Sequence, residues 1–164
     1  MKKVLKTTAT VFLLLFIVIQ FYPRAAPNNN PDASRDIGRV HLVPPDVERI
    51  LETACYNCHS NKTVYPWYSK LQPVSYWLND HIVEGKKELN FSEFAGYRLA
   101  KQFHKLEEVI GEVKENKMPL ESYSFVHTDA KLTQDQKLLL ANWAQAIRDS
   151  MRSVYPPDSL IRKK

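Results

Sequence analysis

The stretch that decides how this chain is read is Cys55-Tyr56-Asn57-Cys58-His59. Two cysteines separated by two residues, with a histidine directly after the second, have the spacing by which a c-type haem is attached. Each thiol adds to one vinyl group of the porphyrin, and the next residue sets an imidazole nitrogen under the iron as its proximal ligand. The sequence holds 2 cysteines in all, and both lie in this stretch. Other uses of the spacing fit less well. A dithiol redox pair usually accompanies a βαβ pattern, which the sequence lacks. A zinc site would have to combine Cys55, Cys58 and His59 with a distant histidine, because there is no second cysteine pair. A disulfide closing so short a loop would constrain the unfolded chain little.

Upstream of the motif, Lys2, Lys3 and Lys6 precede an apolar run from about Thr7 to Tyr22. A charged start followed by a hydrophobic segment is a targeting or anchoring element and stands apart from the fold. The following Pro23-Arg24-Ala25-Ala26-Pro27 offers no clear small-x-small cleavage site. An uncleaved single-pass anchor in the cytoplasmic membrane is therefore favoured over a signal peptide that releases the protein into the periplasm. In the anchored form the three lysines stay in the cytoplasm, and Phe21 and Tyr22 sit at the far interface. Either way the rest of the chain lies on the extracytoplasmic side, where haem is attached covalently in bacteria. The export signal and the motif are independent observations, and they agree.

The sequence pI of about 9.1 does not signal a nucleic-acid binder. Without Lys2, Lys3 and Lys6, Lys plus Arg falls from 23 to 20 against 18 acidic residues, a balance of +2. A nucleic-acid partner would call for a concentrated basic face, and Arg162-Lys163-Lys164 is more simply a solvated terminus. The 164 residues allow one domain with a real core. Scarce glycine (4) and frequent proline (10) argue against a sheet rich in tight hairpins.

These signals divide the chain into an anchor (1–22), a flexible linker rich in Pro, Asn, Asp and Ser (23–44), a haem-binding domain (45–152) and a tail (153–164). Within the domain, Asp46 is the expected N-cap of a helix. Val47, Ile50, Leu51 and Ala54 line one face of that helix, which is expected to run into Cys55 and Cys58. A second helix starts at Pro73 and places Val74, Trp77, Leu78, His81 and Ile82 on one stripe. A third, from Gly96 to about Glu115, buries Leu99, Phe103, Leu106, Val109, Ile110 and Val113. Its other face, with Lys101, Lys105, Glu107, Glu108 and Glu112, is expected to be solvated. Thr133 to Gln136 fits a capping box that opens the last helix, with Leu139, Trp143, Ala146 and Ile147 as its buried stripe and an end near Met151. With no convincing strand, the fold class is all-α.

Between the first two of these helices, Tyr65, Trp67 and Tyr68 crowd within four positions. They read either as a lid over the haem, with Trp77 adding to the pocket, or as an ordinary packed loop. Pro66 is a candidate to accept the His59 ring N–H through its carbonyl. For the second iron ligand the candidates are Met118, Met151, His41, His81, His104 and His127. Met118 lies in the loop Glu115-Asn116-Lys117-Met118-Pro119-Leu120, where a thioether can approach the iron freely, whereas His81 and His104 lie within helices.

Taken together, Cys55 to Asn61, Tyr65-Pro66-Trp67-Tyr68, and Lys117-Met118-Pro119-Leu120 followed by Leu132-Thr133 resemble the class I cytochrome c fold. The likeness is closer to a small bacterial haem-binding domain family of that kind, and it covers roughly residues 45 to 151. The resemblance implies an attachment-site helix crossed by a C-terminal helix, and a methionine ligand from the loop before the latter. Met118 occupies that place, and His127, in the same loop region, is the runner-up, which would give a bis-histidine haem.

The function this implies is that of a membrane-tethered monohaem cytochrome. It would carry one covalent haem c, exchange single electrons with partner proteins, and catalyse no reaction. The alternative is a haem-based ligand binder or sensor with an open distal site. A c-type peroxidase of this kind would carry two attachment motifs, and the sequence has one.

Overall fold

The structure, a computed structural model, describes residues 1–23, 29–30 and 32–161. The cleavage-site region and the Arg162-Lys163-Lys164 terminus lie mostly or wholly outside them. Among the described residues there are seven α-helices and no strand, so the chain is all-α. The helices are α1 (Lys2–Ile19), α2 (Pro45–Ala54), α3 (Tyr56–His59), α4 (Val74–Glu88), α5 (Leu99–Lys114), α6 (Glu121–Val126) and α7 (Gln134–Val154).

The body is built on the pair α5 and α7, whose faces make the largest helix–helix contact, with α2 against α7 and α3 against α4. Leu106 and Val113 of α5 meet Leu140, Trp143, Ala144, Ile147 and Met151 of α7 in one core, which Val47, Ile50 and Leu51 of α2 complete. At about 25 cal/mol per Å² of apolar surface, burial of these side chains is the main force holding the helices together. The α7 stripe is thus Leu140, Trp143, Ala144, Ile147 and Met151, whereas Leu139 and Ala146 are exposed. Three successive leucines at 138–140 allow the helical period to start on any of them, and packing against α5 selects the third. The capping box is present: Gln136 N–H donates to Thr133 Oγ1 at 3.2 Å, and Thr133 N–H donates to Gln136 Oε1 at 2.9 Å.

Both boundaries drawn from composition shift outward. The later part of the stretch expected to be a flexible linker is packed onto the body. Ile37 is fully buried in the core, Ala95 N–H donates to the Arg35 carbonyl at 2.8 Å, and Trp143 Nε1–H donates to the Leu42 carbonyl at 3.0 Å. One well-placed isoleucine outweighs a polar composition. At the other end, Leu160 folds back into the same core.

Helix α1 occupies the position of the expected anchor. Its residues are exposed throughout. No helix among the described residues is long and apolar enough to cross a membrane; α1 spends three of its 18 positions on lysine. Its C-terminal end is tied to the body by a two-way amide contact. Gln20 Nε2–H donates to the Gln72 carbonyl and Gln72 N–H donates to Gln20 Oε1, both at 3.0 Å.

Candidate functional site

The first expected helix does not run through the motif. It ends at Ala54, and Cys55 (φ −127°, ψ −45°) forms a corner from which the single turn α3 starts. The corner places Cys55 and Cys58 at different ends of one cleft instead of stacking them on one helical stripe. Cys55 lines a cavity of about 310 Å³ with Leu89, Phe91, Val109, Val113 and Leu140. Cys58 lines a neighbouring cavity of about 280 Å³ with Gly85, Pro119, Leu120 and Tyr123. His59 and Met118 line both. Cofactor pockets run from roughly 300 to 1,000 Å³, so the two voids meeting across His59 and Met118 are of the right order for a large flat ligand.

The two thiols are free. Burial pushes the Cys55 thiol up to about 12, with the neighbouring Cys58 adding to the shift. Burial also raises Cys58, against the pull of Lys86. Both sulfurs are therefore kept as neutral S–H groups in a largely apolar wall.

His59 is the best-determined group of the site. Its Nδ1 lies 2.9 Å from the Gly85 carbonyl and 3.1 Å from the Leu89 carbonyl. Carbonyl oxygens only accept, so Nδ1 must carry the proton, and Nε2 keeps its lone pair. Burial lowers the His59 pKa, opposed by these two bonds, so the ring stays neutral. A neutral imidazole whose far nitrogen is tied to backbone carbonyls is the form that ligates a metal. Both carbonyls come from the end of α4, and Pro66, the partner expected from sequence, is not the acceptor. Pro66 instead lines a small cavity beside Cys58 with Tyr68 and His127.

Gly85, which sequence reasoning passed over, makes this arrangement feasible. A Cβ on it would lie 2.7 Å from the Cys58 carbonyl oxygen, closer than atoms pack. α4 can thus approach α3 closely enough to offer its carbonyls to His59 only with glycine here. The available signal was weak: two of the 4 glycines, Gly85 and Gly111, lie inside α-helices, where glycine costs stability unless packing needs it, and of these two only Gly85 meets a close neighbour.

Met118 is delivered by the way α5 ends. Asn116 takes the left-handed conformation (φ 59°). Asn116 N–H donates to the Val113 carbonyl at 3.2 Å and Lys117 N–H to the Glu112 carbonyl at 2.9 Å. This is the Schellman pattern, in which asparagine is the usual substitute for glycine. The chain reverses there, and the half-buried Met118 side chain joins both cavities.

The remaining expected residues distribute as follows. Tyr68 and Trp77 line a cavity of about 250 Å³ on the far side of Cys58. Tyr65 is half-buried, and Trp67 is exposed with its ring edge-on to Tyr68. His127 faces away from the two cavities: its Nε2 lies 2.6 Å from Tyr68 Oη, and its ring stacks on Tyr123 at 4.4 Å. The α5 face expected to be solvated contributes a buried residue. Lys105 lines the Cys55 cavity, 3.1 Å from Glu88 and 2.6 Å from Glu108. The three carboxylates of Glu88, Glu108 and Glu112 edge the same cavity.

Residues 14–146 match the family described as a haem-binding domain. The chain belongs to the haem-binding domain family. The comparisons with curated proteins and with solved structures returned no match. Membership extends well beyond the motif, since the match begins inside α1 and ends inside α7. Haem is thus the ligand against which the site has to be tested, and the residues fit it. Two thiols, a neutral imidazole with a free Nε2 and a thioether surround the same pair of cavities, whose other walls are mostly apolar.

Proposed function

We propose that this haem-binding domain carries one haem attached covalently through Cys55 and Cys58, ligated by His59 and Met118, and passes single electrons between partner proteins. The observation that carries the reading is the fixed tautomer of His59, whose Nε2 makes no hydrogen bond among the described residues and whose side chain lines both the Cys55 cavity and the Cys58 cavity. Cys55 and Cys58 would each hold the haem through a thioether made by adding the thiol S–H across one vinyl group, an addition with no leaving group. Bound haem supplies a one-electron ferric/ferrous couple, and methionine–histidine ligation raises its potential. The protein holds the His59 ring neutral and excludes water with Leu89, Phe91, Val109, Val113 and Leu140. The proposed role is that of an electron carrier, related in design to class I cytochromes c.

In this reading α1 tethers the carrier to a membrane, with the domain on the extracytoplasmic side. Support comes from the apolar side chains that α1 leaves exposed from Val11 to Ile19, and from the lysines confined to its start. A helix apolar on all sides is stable only when buried in protein or lipid.

The visible spectrum tests the ligand set. Ferric protein with Met118 on the iron shows the weak far-red charge-transfer band of a sulfur–iron bond and resists carbon monoxide when reduced. A high-spin spectrum with rapid carbon monoxide binding would replace the carrier by a ligand-binding sensor.

A further inference from the structure

The corner between the turn Trp67–Lys70 and α4 exposes large aromatic side chains that the haem cleft does not explain. Trp67 is 76 % exposed and Tyr76 66 % exposed, and neither lines any of the cavities described above. Leu71 and Val74, on either side of Gln72-Pro73, are also exposed. Isolated exposed apolar residues are ordinary, but an aromatic cluster of this kind marks an interaction surface. Its charge is equally distinctive. From Thr63 to Asn79 the only charged residue is Lys70, and Lys70 is exposed. Tryptophan and tyrosine with a single cation and no carboxylate suit the headgroup level of a bilayer, where an amphipathic ring has one end dry and one end wet.

What selects lipid over a protein partner is the attachment of this corner to α1. The two bonds between Gln20 and Gln72 fix the end of α1 to the middle of the corner. Phe21 and Tyr22, next in the chain, are exposed as well. If α1 lies in lipid, its C-terminal end emerges at the interface, and the clamp holds the Trp67–Tyr76 corner at that same depth.

We propose that this corner, with Trp67 and Tyr76 foremost, rests in the membrane interface beside α1, so that the domain lies against the bilayer in one orientation. The proposal rests on the tether reading above. It directs the Cys58 side of the cleft toward the membrane, because Trp77 and Val74 line the cavity that Cys58 also lines. The Cys55 side, with Glu108 and Glu112, is left for soluble partners, while Glu88 lies between the two cavities and Asp80 and Glu84 line the Cys58 one.

The test uses the full-length haem-loaded chain in vesicles of phosphatidylcholine with a minor share of phosphatidylglycerol. A lipid bearing a photoactivated carbene precursor near its headgroup is included, and adducts are mapped by peptide mass. Adducts on α1 and on residues 67–77 together support the proposal. In Gln20→Leu, labelling of 67–77 is expected to fall about fivefold, the effect of losing about one net hydrogen bond, while labelling of α1 stays. Adducts on α1 alone in the unaltered chain would overturn the proposal and leave the tether standing. Adducts nowhere would remove both. Adducts on 67–77 alone would overturn the proposal, since the corner would then meet lipid without α1 beside it. Unchanged labelling of 67–77 in Gln20→Leu would overturn the orienting role of the clamp.

Discussion

His59 and Met118 face the same two cavities, yet they are held in different ways. His59 sits in a one-turn helix wedged against α4, with its ring tied to two backbone carbonyls. The residues just after it are locked too. Ser60 Oγ–H donates to the Tyr56 carbonyl at 2.7 Å, Asn61 N–H donates to Ser92 Oγ at 3.1 Å, and Asn90 Nδ2–H donates to Asn61 Oδ1 at 2.8 Å. Met118 has no such frame. It hangs two residues beyond a helix cap, among the exposed Glu115, Asn116 and Lys117, and its backbone N–H is held by the Glu112 carbonyl at 3.1 Å. The contrast teaches a division of labour. In the proposed reading the histidine side is set by the fold itself, and the methionine side can be exchanged without unmaking it.

The largest effect expected from this contrast is at His59. His59→Ala should reduce haem incorporation to background, read as haem absorbance per polypeptide, because the ligand and its two carbonyl anchors are lost together. Retention of a full haem complement would mean that the histidine side is not the organising one. Gly85→Ala tests the same side without touching a ligand. A methyl group 2.7 Å from the Cys58 carbonyl must push α4 away from α3. The expected cost is about 1–3 kcal/mol in unfolding free energy, larger than the helix-propensity gain of about 1 kcal/mol from replacing glycine. Haem content should fall with it. A more stable variant with normal haem content would show that the close approach is not needed.

On the methionine side the expected losses are smaller and of another kind. Met118→Ala should keep its haem, lose the far-red band, gain carbon monoxide binding and fall in potential. His127→Ala should leave that band in place, since His127 is engaged with Tyr68 and Tyr123. The loop's cap gives a smaller effect still. Asn116→Ala forces a side chain with a Cβ and no local hydrogen-bonding group into the left-handed region, at about 1 kcal/mol, whereas Asn116→Gly should be near neutral. Denaturant midpoints check both, and the spectrum should be unchanged in each.

The smallest expected effect lies away from both sides. Burial lowers the His41 pKa from 6.5, and its Nε2 is buried without a partner. The folded value lies below the unfolded one, so this contribution to stability is complete above about pH 6.5 and is lost as pH falls toward the folded value. His41→Phe should flatten the stability profile in that window, and an unchanged slope would show that His41 does not titrate with unfolding.

What the sequence disclosed and what it withheld follow the same division. Cys55, Cys58 and His59 are contiguous, so their chemistry is visible as a string. The capping box at Thr133 is equally local. Met118 is distant in sequence, and the structure brings it to the same two cavities as His59. The anchors of His59 are not legible, because backbone carbonyls carry no residue signature; the sequence points to Pro66, whereas Gly85 and Leu89 are the partners in space. Lys105 read as solvated by its charge and is buried because Glu88 and Glu108 supply its counter-charge. Ile37 was lost in a polar stretch. Apart from the Lys105–Glu108 pair within one turn of α5, the missing information was a contact between segments far apart in the chain.

The central claim is that this cleft holds one haem by two thioether bonds. Intact mass after acid–acetone extraction tests it most directly, on chain produced in a host with haem-attachment machinery. The account predicts the polypeptide mass plus one haem, retained through extraction, and no such gain when Cys55 and Cys58 are both replaced by serine. A mass equal to the bare polypeptide would contradict it.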